Sequence, residues 1–320
     1  MNILITSAGR RTQLLSYFKK ELDDKGTLIA TDASRLAPAL YVADKYHIVP
    51  PVGDNNYVDY IIDICLKEKV TGVLSLIDPE LSILSANINK FENHGIQVIV
   101  SPYDVCELFI DKFNVQAFCL KNEFKYPKTY DKLDDFQKAF LNKEIEFPVF
   151  VKPKRGSASL YANKANSMEQ AVFLFNSVPD MIIQEYLNGQ EIGVDVYIDL
   201  ISKQVVSVFM KEKIAMRAGE TDKSKSIKSS KLLYMIKDFV LKAGLIGPND
   251  IDVFQIGDDY YISEVNPRFG GGYVHAHECG VNFPKYILSN LQGVGNATEL
   301  DCYEENTYLM KHDTVIFLRQ

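Results

Sequence analysis

Short apolar runs at Ile3–Thr6, Leu28–Thr31, His47–Val49, Gly72–Ile77 and Gln97–Val100 predict five strands in the first third of the chain. Between the third and fourth of them, Val58, Ile61, Ile62, Cys65 and Leu66 recur at i, i+3, i+4, i+7 and i+8, the stripe of a helix packed on a sheet. Strand and helix in alternation predict an α/β fold that begins with a doubly wound parallel sheet, in which ligands bind beyond the carboxyl ends of the strands. Two segments fall at such ends, TSAGRR after the first strand and IDPEL after the fourth. TSAGRR has a single glycine and no GxGxxG, so a tight strand-to-helix turn is the preferred reading, and Asp32 has little claim to be a ribose ligand. Asp78 and Glu80 either face the cleft or cap a helix that starts at Pro79. Arg10 and Asp78 are carried forward as substrate contacts.

After Pro102 the pattern changes. Residues 103–122 read as one or two helices, and Lys125-Tyr126-Pro127 breaks the run. From residue 147 the order is strand, small-residue loop, strand, a helix over Ser167–Asn176, and strand again, which does not continue the doubly wound half. Further on, DVFQI and YYISEV flank GDD and predict a β-hairpin. A three-residue loop centred on Asp258 sets Asp252 opposite Glu264, and Asn266 lies on the same face two residues later. Arg268 extends that face, and Gly270, Gly271 and Gly272 follow. Two carboxylates and an amide oxygen form a hard-oxygen set suited to Mg²⁺ held between protein and phosphates. The stretch 219–230, rich in Ser and Lys, reads as a mobile polar loop, and the tail TVIFLRQ as a helix remnant and a closing strand.

Composition narrows the class. At 320 residues, with 47% hydrophobic and 24% charged content, the chain reads as a soluble globular protein large enough for two domains. A net charge of −7 argues against sequence-independent nucleic-acid binding. The five cysteines are dispersed without metal-ligand spacing and read as reduced thiols of a cytoplasmic protein. MNILITSAGRR lacks the layout of a signal peptide, and no apolar run reaches membrane-spanning length.

The EVNPR string at residues 264–268, downstream of Asp252, resembles the catalytic end of the ATP-grasp enzymes and is similar to the carbamoyl-phosphate synthase large-subunit group. The other motifs fall in the order that resemblance requires. It implies a pre-ATP-grasp, Rossmann-like domain over 1–108, a lid subdomain with entry helices over 109–183 and a nucleotide- and metal-binding subdomain over 184–320. Asp111-Lys112 and then Lys152 stand where the family places its two phosphate-binding lysines. Lys154 to Ser159 resembles the flexible loop over the terminal phosphates, with Gly156, Ser157 and Ser159 as donors, although Leu160 stands where a further glycine is usual. Glu185, Tyr186 and Leu187 match the adenine-reading hinge, and Glu191 the ribose ligand. Asp195 is either a neighbour in the site or a buried structural carboxylate. Asp252, Glu264 and Asn266 are the implied metal ligands.

Phosphoryl transfer needs cations around the developing charge. Of Lys211, Lys213 and Arg217, we expect Arg217 first and Lys211 next in that role, beside Arg268. His275 is a further candidate for substrate contact. The resemblance implies ATP with Mg²⁺ or Mn²⁺, a small-molecule carboxylate activated as an acyl phosphate, an amine acceptor, and a homodimer, with neither nucleic acid nor membrane as partner. Two rivals are phosphorylation of bicarbonate or carbamate on the same fold and a regulatory subunit that binds nucleotide without turnover. No second ATP-grasp half follows in the chain.

Overall fold

The computed structural model describes residues 1–156 and 161–319. Its first unit runs β1 (Asn2–Thr6), α1 (Thr12–Leu22), β2 (Thr27–Asp32), β3 (Lys45–Ile48), α2 (Tyr57–Glu68), β4 (Gly72–Ser75), α3 (Asp78–Ala86), α4 (Ile88–Glu92) and β5 (Gln97–Val98). The five strands form a parallel sheet in the order β3-β2-β1-β4-β5, the doubly wound arrangement expected from the alternation. Leu66 departs from the expected stripe and is 48% exposed. It sits at the margin of the face that Val58, Ile61, Ile62 and Cys65 bury. β4 ends early because Ser75 Oγ accepts the Ile77 amide at 3.2 Å and turns the chain.

A second, antiparallel sheet follows the helix pair α5 (Tyr103–Ile110) and α6 (Lys112–Lys121). Asp111 divides the pair by accepting the Phe113 and Asn114 amides at 3.1 and 3.2 Å, an N-cap that starts α6 at Lys112. The sheet comprises β6 (Thr129–Tyr130), β7 (Val149–Pro153), β8 (Asn163–Ala165) and β9 (Met181–Glu185), in the order β6-β9-β7-β8. Helices α7 (Leu133–Leu141) and α8 (Met168–Phe175) pack on it through Phe136, Ala139 and Ala171.

The third sheet carries the chemistry. It runs β14-β13-β10-β11-β12-β15, built from β10 (Gln190–Ile198), β11 (Val205–Arg217), β12 (Glu220–Ile227), β13 (Gly247–Ile256), β14 (Asp259–Asn266) and β15 (Tyr308–Met310). One face, with Ile192, Val194, Met210, Ile251 and Val253, packs on Leu232, Ile236 and Phe239 of α9 (Ser230–Ala243). Each such side chain contributes about 1.5–3 kcal/mol on burial, which fixes which face is left for polar groups. α10 (Tyr273–Glu278) and α11 (Phe283–Leu291) return to cover the first sheet, where Phe269, Tyr273 and Phe283 share a core with Ile3, Ile5 and Phe18. This places the residues just after β14 against the carboxyl end of β1.

Three expectations are corrected. The stretch 219–230 is mostly β12, paired with β11 through Lys211↔Ser226 and Lys213↔Ser224, because Thr221, Ser224 and Ser226 turn inward and are buried. The tail contributes β15 upstream of TVIFLRQ. Residues 311–319 form no regular element, and Val315 and Phe317 are exposed. The hairpin turn has two residues, Gly257-Asp258, with Gly257 at φ +58°. A bulge at Ser263 absorbs the difference, so Asp252 still faces Glu264.

Candidate active site

Register on the polar face of the third sheet brings distant residues into rows. Gly193 pairs with Lys211 on one side and Asp252 on the other, and Asp252 pairs with Glu264. One rung along, Asp195 pairs with Asp250, and Asp250 with Asn266; in the opposite direction Lys213 of β11 ion-pairs with Glu191 of β10. Paired residues of antiparallel strands share a face, so carboxylates from three strands and lysines from a fourth converge.

The charges are closely matched. Lys213 Nζ lies 2.8 Å from Glu191 Oε1 and 2.6 Å from Asp252 Oδ1. Burial opposes its charge, but Asp252, Glu191 and Asp250 outweigh burial and hold the ammonium above its ordinary range. Burial also pushes the Asp252 carboxyl upward, with Lys213 opposing and Asp250, Glu191 and Glu264 reinforcing. Lys211 pairs with Asp195, and both side chains are only 1% exposed. Arg268 donates to Asp78 at 2.9 Å and lies 3.5 Å from Asp250. Asp250 also accepts Asn266 Nδ2 at 3.3 Å, which leaves the Asn266 carbonyl oxygen as that side chain's acceptor end.

Beside these rows lies a cavity of about 800 Å³ between the second and third sheets. Lys112, Lys152, Gly156, Glu185, Tyr186, Leu187, Glu191 and Glu264 all line it. Lys152 stands near the end of β7, and its ammonium has no hydrogen-bond or ion-pair partner among the described residues. Burial lowers its pKa to about 8, with Glu264 and Asp252 working the other way and Lys112 adding to the depression. Lys112, at the start of α6, donates Nζ to the Gly156 carbonyl. Tyr186 stacks on Phe150 at 5.6 Å between centroids, a flat aromatic wall. Glu185 is tied to Lys128 by its backbone amide, at 2.8 Å, and by its carboxylate, which accepts the Lys128 amide at 3.1 Å. A small neighbouring pocket lined by Asp78, Lys112, Gly156, Glu264 and Asn266 shares Lys112, Gly156 and Glu264 with this cavity. Ser157 and Ser159 lie outside the described residues.

Other expected residues fall elsewhere. Arg217, at the end of β11, is half exposed and pairs with Asp222 and Asp313, each at 2.9 Å, away from the carboxylate rows. Lys211 is closed against Asp195 and does not line the cavity. The cation that reaches Asp252 is Lys213, two residues on along the same face. His275 is buried with both ring nitrogens engaged, by Ser224 at 2.8 Å and Thr307 at 3.0 Å, and burial lowers its pKa to about 4. It is a structural contact among β12, α10 and the loop before β15, and it lines neither of the two large cavities. Glu80 is likewise internal, accepting Ser7, Tyr57 and Ser75 at 2.6 Å each. Asp32 accepts the Gly9 amide at 2.8 Å and so shapes the turn after β1. Arg10 is exposed and faces a second cavity, of about 630 Å³, that also holds Arg11 and Lys311.

The comparisons agree with this architecture. The ATP-grasp domain model matches residues 110–272, more than half of the chain, and a PylC-like N-terminal domain model matches residues 3–99. The chain belongs to the ATP-grasp family. A search of curated proteins finds no match. Among solved structures, the biotin carboxylase domain of Hydrogenobacter thermophilus 2-oxoglutarate carboxylase, in complex with MgADP, ADP and bicarbonate, superposes with a TM-score of 0.75 at 18% identity, covering 96% of this chain and 73% of that one. N5-carboxyaminoimidazole synthetase from Staphylococcus aureus gives 0.73 at 15%, covering 93% and 78%. An L-amino acid ligase from Bacillus licheniformis gives 0.72 at 16%, covering 92% and 75%. At these identities the likeness is one of fold. Among the described residues no helix is long and apolar enough to cross a membrane.

Among the described residues no set of three or more His, Cys, Asp or Glu side chains is grouped to hold a metal. Two carboxylates and an amide instead match magnesium's habit of taking one or two protein carboxylates and completing its octahedron with phosphate oxygens and water. Glu191, Asp250 and Glu264 crowd Asp252, and Lys213 is the cation in contact with it, an arrangement that a divalent cation would fit.

Proposed function

We propose that the 800 Å³ cavity is the nucleotide site and that the protein joins a small-molecule carboxylate to an amine at the end where Glu264 and Asn266 lie. The observation that carries this reading is that Lys112, Lys152 and Glu264 line one cavity together with the aromatic wall of Phe150 and Tyr186. Glu185, Tyr186 and Leu187 receive the adenine, and Glu191 accepts from the ribose hydroxyls. Lys112, Lys152 and the Gly156 segment, including Ser157 and Ser159, hold the phosphates. Asp252, Glu264 and Asn266 hold the magnesium, which, when bound, neutralises charge on the phosphates.

Lys213 and Arg268 are fixed by carboxylates on either side, so they stabilise developing negative charge without reorganising. A carboxylate oxygen of the substrate attacks the terminal phosphorus, the bond to ADP breaks, and an acyl phosphate forms. The amine nitrogen then bonds to the acyl carbon, phosphate leaves with the C–O bonding pair, and the nitrogen gives up a proton. Such an intermediate hydrolyses readily, which fits a deep cleft between two sheets. A homodimer is part of this reading, as is a cytoplasmic setting in which all five cysteines stay free.

ADP release measured against panels of carboxylates and amines tests the proposal. ADP formation that requires both substrates is the expected result. ADP formed with bicarbonate alone would point to carbamate chemistry, and none with any pair would point to a regulatory module.

A further inference from the structure

The cavity of about 630 Å³ is walled by the turn after β1, the tip of the β11–β12 hairpin, the backbone at Gly270-Gly271 and the chain after β15. Several of its charges are already closed on one another. Arg217 donates to both oxygens of Asp313 at 2.9 Å and to Asp222, and Glu278 accepts from Tyr17. Glu220 is different, because three cations share it: Lys311 at 3.1 Å, Arg10 at 3.5 Å and Arg11 at 3.7 Å. One carboxylate among three cations leaves the cluster short of negative charge.

Arg11 is the deep member, its side chain only 19% exposed, with Arg268 adding positive charge around it and Asp250 negative charge. The backbone is shaped to admit the cluster. A Cβ on Gly271 would lie 2.7 Å from the Glu220 carboxyl carbon and 2.9 Å from Arg11 Nη1, and Lys311 Nζ donates to the Gly271 carbonyl at 2.7 Å. A Cβ on the adjacent Gly270 would collide with Asp250, so these two glycines pass between the cluster and the carboxylate rows at close contact with both. The lining also includes apolar residues, Leu14, Tyr273, Val274 and Ile316, alongside Gln13, His312 and Thr314.

We propose that this cavity takes the amine substrate and that the substrate is an α-amino acid anchored by its own carboxylate. Arg10, Arg11 and Lys311 hold that carboxylate, Glu220 faces the amino group, and the apolar residues of the lining receive the side chain. Three cations around one acid match a ligand that brings a carboxylate and an ammonium together, whereas a simple amine would add to an uncompensated positive charge. The inference rests on the ligase reading for its catalytic meaning but not for binding.

The test compares L-amino acids with their α-amides, which keep the amine and side chain and lose the carboxylate. Calorimetric titration of the intact chain, with and without a magnesium complex of a non-hydrolysable ATP analogue, is expected to find L-amino acids that bind and α-amides at least ~10-fold weaker, the loss of one charge-assisted contact. Arg11→Gln and Lys311→Met each raise the amino-acid KM by about tenfold or more while the KM for ATP stays within about twofold, and Arg11→Lys recovers part of the loss. Lys311 lies outside any regular element, so its variant keeps the fold if the Arg11 variant does not. Amides that bind as well as acids, no binding by any amino acid, or an unchanged amino-acid KM in the Lys311 variant would overturn the proposal. Carboxylate-dependent binding with no ADP formed would uphold this site and remove the ligase reading instead.

Discussion

Glu264→Gln and Lys152→Ala are each expected to lower kcat for ATP cleavage by about 10²–10³-fold, the usual cost of removing one preorganised charge from a phosphoryl-transfer site. Both side chains line the nucleotide cavity, and neither belongs to an apolar core, so the melting temperature should stay close to that of the parent. The lysine adds a pH signature. Burial sets its pKa to about 8, so the free enzyme carries the charge below that pH and loses it above. Because kcat/KM reports the free enzyme, kcat/KM for ATP should fall as the pH rises through about 8. Lys152→Arg, which stays charged, should remove that fall. A flat pH profile in the parent together with full activity in both variants would separate these residues from the nucleotide.

Lys211→Met should act on stability. Its ammonium is paired with Asp195 where both side chains are 1% exposed, so the variant leaves a buried carboxylate without its cation. Breaking such a pair costs about 3–5 kcal/mol, read as a lowered urea midpoint at pH 7. The sign with pH follows from Asp195. Burial already raises its pKa to about 6 against the pull of Lys211, and removing the lysine raises it further above the unfolded value. The folded variant then binds a proton that the unfolded chain does not, so the penalty shrinks as the pH falls toward the unfolded carboxylate range. The double variant Lys211→Met, Asp195→Leu should recover most of the loss. A single variant as stable as the parent would mean that the pair is dispensable.

The first sheet could be read from the sequence because β1, β2 and β4 are apolar runs and α2 carries a clear stripe, both local signals. The Asp252–Glu264 pairing could also be read, although the turn was shorter than expected and the Ser263 bulge restored the register. β12 could not, because Thr221, Ser224 and Ser226 are its inward positions and Lys223 and Lys225 stand between them. An alternation of polar with polar gives no hydrophobic contrast. The choice between Lys211 and Lys213 had no local answer, since both lie on one face of β11. What separates them is the partner strand, where Gly193 stands opposite Lys211 while Glu191 ion-pairs with Lys213. Arg11, Glu220 and Lys311 meet only because α10 and α11 fold back onto the first sheet, a contact with no signature in any one segment.

The central claim is that one cleft holds the adenine at Tyr186 and the metal at Glu264. A crystal soaked with ADP and Mn²⁺ tests it directly, because manganese gives an anomalous signal that locates the ion independently of the nucleotide. The claim predicts an anomalous peak among Asp252, Glu264 and Asn266, with the base against Phe150 and Tyr186. Nucleotide bound in the 630 Å³ cavity beside Arg10, or manganese outside the carboxylate rows, would contradict it.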